Sequence, residues 1–145
     1  MAATGEVQVA AAGNVLLGSL GGIFFTDAST SKPTYANHLD ASNTATDIVG
    51  FVSDDPYERF EVQSDNSGAS EQTDIGNVAD IVYAAGSSPD YVSKVELDDS
   101  DLATSDGQLK VIGLSRDPDN SDLTAANVNW IVTINEHFLK QEAGV

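Results

Sequence analysis

The chain has 145 residues and a mass of 15.1 kDa, with 23 acidic against six basic residues and a formal net charge of −17. That length supports one hydrophobic core, and a hydrophobic fraction of 41% suffices to build it, which excludes a disordered tail. There is no cysteine, which excludes a disulfide framework, a thiolate metal site and a thiol nucleophile.

Taken in chain order, Met1 to Glu6 lacks the basic flank and apolar run of a signal peptide, and no stretch approaches the ~18 apolar residues of a membrane span. Residues 1–12 read as an N-terminal arm on a single β domain spanning residues 1–145. Asn14 to Leu17 and Ile23 to Thr26 read as two short strands, with Gly18 to Gly22 as the glycine turn between them. The polar stretch 27–46 is long for a structureless loop, so it is expected to hide a hairpin or to reach a neighbour. Ile48 to Val52 is apolar on both faces, as in a strand covered on both sides by core or partner.

At Asp55-Pro56 the chain should turn a corner, because proline restricts the residue before it. Residues 59–64 then alternate, with Phe60 and Val62 on one face and Arg59, Glu61 and Gln63 on the other. After a polar loop at 65–74, Thr73 to Asp80 reads as a capped helical turn with Thr73 as N-cap, kept short by Gly76. Residues 91–98 place Tyr91, Val95 and Leu97 on one strand face. Leu109 to Leu114 is a second run apolar on both faces. A polar loop with a proline turn at 115–127 leads to residues 129–138, which align Trp130, Val132, Ile134 and Phe138. The sum is about seven to nine strands and at most one short helix, which points to an all-β fold: a single-domain β-barrel or jelly-roll-like sandwich with long polar loops.

Reaction chemistry finds little support. Two histidines are present, His38 in a polar loop and His137 at the end of the last strand, and no G-x-S-x-G elbow or phosphate-binding glycine loop occurs. Asp98-Asp99-Ser100-Asp101 with Asp106, and Asp117 to Asp122, offer hard oxygen ligands of the kind calcium takes. The second run has Asp122 and Val128 where an EF-hand needs glycine and glutamate, so both read as solvated loops. Carboxylate pairs are too common in so acidic a chain to signal glycoside hydrolysis. Trp130, at strand period beside Val132 and Ile134, reads as core rather than as a sugar platform. The expectation is a non-enzyme with no catalytic, cofactor-binding or metal-ligating residues.

The charge also bears on partners. Lys32, Arg59, Lys94, Lys110, Arg116 and Lys140 are scattered and form no basic patch by sequence proximity, so nucleic acid and anionic membranes should repel the chain.

Two passages carry a resemblance. Val52 to Asp65 (VSDDPYERFEVQSD) looks like the "DDPxxxFEVQxD" passage of small cement or decoration proteins from tailed-phage heads, cyanophages among them. Gln108 to His137 is similar to the same family through QLKVIGL, RDPDN and NVNWIVTINEH, and GIFFTDASTSKPTYANH adds a looser likeness nearer the N-terminus. The resemblance implies a β-barrel or jelly-roll-like domain made in the host cytoplasm. It would sit on the outer surface of the capsid and clamp neighbouring subunits of the major capsid protein, itself a homo-oligomer with trimer favoured over dimer. The alternatives are another virion module, such as a head fibre, spike or tail component, and a carbohydrate-binding β-sandwich. The glycine-rich segment 5–25 and the loop 27–46 are expected to make the contacts, since they carry apolar residues or length beyond what a closed barrel needs.

Overall fold

The computed structural model describes residues 6–103 and 105–140. Among these residues nine strands run β1 Ser19–Thr26, β2 Pro33–Ala36, β3 Val49–Ser53, β4 Arg59–Gln63, β5 Val78–Ala79, β6 Ile81–Val82, β7 Glu96–Leu97, β8 Leu109–Leu114 and β9 Asn129–Ile134. They form three sheets, ordered β2-β1-β3, β4-β9-β8-β5 and β6-β7, and these ladders do not close into a barrel. The only helical pieces among the described residues are 3-10 turns of three residues each. The chain is a small all-β protein.

β9 organises the core. Its alternation places Trp130 and Val132 fully out of solvent, with Ile134 nearly so. Hydrogen bonded on both edges, β9 sets Trp130 opposite Val62 of β4 and Leu114 of β8, and Val132 opposite Phe60 and Val111. Leu97 of β7 and Ala79 of β5 complete the same cluster, again without exposure.

Neither of the two runs that are apolar on both faces is covered on both sides by core. In β8 the register shifts between Val111 and Gly113, so Ile112 is the extra residue and stays partly exposed. This bulge returns Leu114 to the core face that Leu109 and Val111 occupy, which is why the run looked two-sided. β3 is an edge strand whose residues are exposed except for a half-buried Val52.

Near the N-terminus the two short strands and glycine turn are replaced by one eight-residue strand. Gly21 is its bulged residue, between the pairs Leu20↔Val52 and Gly22↔Phe51. Leu16 makes only an isolated bridge, to His137. The 27–46 stretch holds no hairpin of its own: it supplies one strand, β2, which folds back antiparallel on β1 before it.

The remaining differences are local. Residues 91–98 pair only at Glu96 and Leu97, because the facing strand β6 has two residues and Tyr91 sits in a left-handed conformation at φ 49°. Thr73 is not the cap of its turn: Glu71 is, through a reciprocal arrangement in which Asp74 accepts the Glu71 N–H at 2.7 Å. Gly76, at φ 100°, then ends the turn as expected. The Asp55-Pro56 corner forms, with Asp55 Oδ1 accepting the Tyr57 N–H at 2.9 Å.

Gln108 is the polar keystone of this interior. Fully buried, its Oε1 accepts the Ile81 N–H at 3.0 Å while Nε2 donates to the carbonyls of Ala11, at 2.9 Å, and Asn14. Residues 11–14, expected to belong partly to a free arm, are thereby held to the core. Gln108→Leu should cost about 3 kcal/mol, since it strands one N–H and two carbonyls out of water. Trp130→Ala should cost about 3–5 kcal/mol through the cavity it leaves. Both follow from denaturant titration, read by circular dichroism.

Candidate functional site

The residues considered from sequence do not converge. His38 lies in the loop after β2, where its ring stacks on Tyr91 with centroids 3.8 Å apart. His137 is far from it in function: it is fully buried, its Nδ1 accepts the Leu139 N–H at 3.0 Å, and it sits where Leu16 bridges to the chain end. Burial holds its pKa below the ordinary histidine value, helped by the Lys140 charge and opposed by the Leu17 backbone and by Asp54 and Asp55. The sequence reading placed this side chain at a strand end and missed its burial. Trp130 is likewise enclosed, so it offers no ring to a sugar. Among the described residues no group of three or more His, Cys, Asp or Glu side chains is arranged to hold a metal ion.

The acidic clusters have a structural task. Asp27, Asp40, Asp65, Asp98 and Asp122 each stand two residues before a serine or threonine. Each accepts both the backbone N–H and the hydroxyl of that residue on one oxygen. An Asx turn of this kind gives a polar loop an internal partner for its backbone. The spacing D-x-[ST] was present in the sequence and would have found them. The Ser29 hydroxyl first, then the Thr30 N–H and hydroxyl and last the Ser29 N–H, bring the Asp27 carboxyl down to about 2 from 3.8. The corresponding hydroxyls also lower Asp40 and Asp122.

A surface of different character lies on the β2-β1-β3 sheet. Cross-strand register assigns its two faces: Ile23 and Phe25 point inward and are buried, while Phe24 shares the outer face with its partners Tyr35 and Val49. Phe51, opposite Gly22, joins them. Tyr35 is 74% exposed, Val49 51% and Phe51 50%. The Tyr35 ring packs against Phe24 at 4.8 Å between centroids, and lies nearly parallel to Phe51 at 6.3 Å and 21°. Because Gly22 carries no side chain, the two rings flank an open groove of about 500 Å³ floored by Gly21 and Gly22. The sequence pointed to residues 5–25 and 27–46 as contact segments. β1 and β2 present an outer apolar face, and β3, which the sequence had marked as covered by core or partner, shares it.

Hydroxyls bound this face. At one end Thr26 donates its Oγ1–H to Asp47 Oδ2 at 2.6 Å and its N–H to Oδ1 at 3.1 Å, and at the other Ser53 Oγ donates to Glu58 Oε2. The Thr26 hydroxyl is the main reason that the Asp47 carboxyl titrates below its ordinary value.

The pKa directions set a pH dependence. A group whose folded pKa is depressed gives stability that is present above its unfolded pKa and is lost as pH falls through the folded one. His137 should therefore make the fold less stable as pH drops below about 6.5. His137→Gln should flatten the dependence of denaturation midpoint on pH between 7.5 and 5.5, whatever its absolute stability. A separate loss, below pH 3.8 and extending to about 2, belongs to Asp27, whose carboxyl carbon should titrate near about 2 by NMR.

No known protein family, curated protein or solved structure matches this chain.

Proposed function

We propose that this chain is a cement protein of a tailed-phage head, binding the outer surface of the capsid and stabilising contacts between major capsid subunits. The observation that carries the reading is the exposed aromatic face of the β2-β1-β3 sheet on a chain of net charge −17. Exposed rings without charge have the composition of the centre of a protein interface, where aromatic residues are enriched and charged ones depleted. The rest of the surface repels polyanions, which suits a protein on the outside of a shell rather than against packaged genome. The passages at 52–65 and 108–137 support the same reading by resemblance.

The action proposed is mechanical. A standard interface buries roughly 800 Å² per partner, and an oligomer that touches several capsid subunits makes each added contact effectively intramolecular. In this reading the oligomer is a trimer rather than a dimer, and the sheets are the parts of a barrel or jelly-roll-like sandwich whose open edges are completed in the assembly.

Purified chain added to expanded heads that lack it should co-sediment with them and raise their resistance to heat or osmotic shock. Absence of co-sedimentation would remove the reading, and affinity for a polysaccharide instead would move it to a sugar-binding domain. A trimer of −17 protomers should also gain stability with salt, so its dissociation constant should fall as ionic strength rises.

A further inference from the structure

The outer face of the β2-β1-β3 sheet is bordered by acid. The turns around it carry Asp27, Asp40, Asp47, Asp54, Asp55 and Glu58 against Lys32, with Arg59 following at the start of β4 and the Lys140 ammonium 4.8 Å over the Tyr57 ring. Two of these carboxylates are placed by the face itself. Thr26 and Ser53 lie on the same side of the sheet as Phe24 and Phe51, and each holds a carboxylate through its hydroxyl, Asp47 at one end of the strip and Glu58 at the other. Between them stand Phe24, Tyr35, Val49 and Phe51, with no ionised side chain.

An apolar centre with an acidic rim selects its occupant by charge. A second copy laid on the same face would bring Asp47 and Glu58 against acidic rims whichever way it turned, each carried by a body of charge −17. A phosphate polymer or an anionic bilayer is repelled by the same groups. What fits is a protein surface with an apolar patch for the Tyr35 and Phe51 rings and lysine or arginine around it.

We infer that this face docks on such a basic-rimmed apolar protein surface, with Tyr35 and Phe51 as anchors and Asp47 and Glu58 as the groups that orient the approach. The inference deepens the cement reading and rests on it for the source of that surface, a major capsid subunit. Exposed aromatic anchors concentrate binding energy, so Tyr35→Ser or Phe51→Ser should weaken binding at least about 30-fold, or about 2 kcal/mol at 1.4 kcal/mol per tenfold. Rim charges act mainly on encounter rate. Asp47→Asn with Glu58→Gln should therefore slow association at low salt and flatten its dependence on ionic strength, with little change in dissociation.

Two probes test this with the full chain. The first is expanded heads lacking the protein, titrated with wild type, Tyr35→Ser, Phe51→Ser, the rim double variant and a control, Val92→Ser, exposed on the loop between β6 and β7. The second is a mixed-mode resin bearing a phenyl group beside a quaternary amine, compared with a plain quaternary amine resin. Wild type and Val92→Ser should need more salt to leave the mixed-mode resin, and that surplus should vanish in both anchor variants. Unchanged Trp130 fluorescence melts establish that the variants fold.

If wild type binds heads and the anchor variants bind equally well, the inference is overturned while the cement reading stands. If wild type ignores heads but the resin surplus depends on Tyr35 and Phe51, the cement reading falls and the face remains a dock for another basic-rimmed protein. A surplus that is absent, or that survives both anchor changes, overturns the inference. So does a drop in the sedimentation mass of the free chain in the anchor variants, because the occupant would then be a second copy.

Discussion

The fold rests on β9 being paired on both edges while its even-numbered side chains are excluded from water. Trp130, Val132 and Ile134 project into one cluster, and each is matched across the sheet by residues of β4 or β8. A strand paired on two sides satisfies its own backbone groups, so its apolar face can be buried without leaving orphaned donors. The shorter pieces depend on that platform. β6 and β7 have two residues each and acquire their order from Ile81 and Leu97, which pack into the same cluster. Gln108 extends the dependence to the N-terminal segment, binding Ala11 and Asn14 to a position beside the start of β8.

Acidity serves two purposes that composition does not separate. Part of it is internal to the loops, where Asp27, Asp40, Asp65, Asp98 and Asp122 accept local N–H and hydroxyl groups. Long polar loops with few apolar anchors need such local bonds to hold a conformation, because their ordering costs about 1–2 kcal/mol of entropy per residue. The other part borders the outer sheet, where Asp47 and Glu58 are held by hydroxyls of the strands themselves. In the docking role proposed for this sheet, the rings supply affinity and the rim supplies direction. In the same proposal the acidic rim opposes a second copy laid on that face.

The two larger sheets divide labour in a related way. β4-β9-β8-β5 supplies the core, with Trp130 at its centre. β2-β1-β3 buries only one face, through Ile23 and Phe25, and leaves its aromatic side outward. An antiparallel sheet tolerates this because each face is served by alternate residues, so burial of one face does not oblige burial of the other. β3 ends at Ser53 and is followed by Asp54, Asp55 and Pro56, groups that discourage a further strand from adding beyond the corner.

Local pattern alone determined the all-β class, most of the strands read at 59–64 and 129–138, and the Asp55-Pro56 corner, since each depends on near neighbours in the chain. Tertiary structure decided the rest. Leu109 to Leu114 and Ile48 to Val52 both read as two-sided runs; a bulge at Ile112 resolves the first and an edge position exposes the second. No local pattern distinguishes these outcomes, because a bulge or an edge is defined by the partner strand. The buried His137 and the aromatic strip of Phe24, Tyr35 and Phe51 were hidden for the same reason. Those rings lie far apart in sequence, and only the register of β1 with β2 and β3 brings them onto one face.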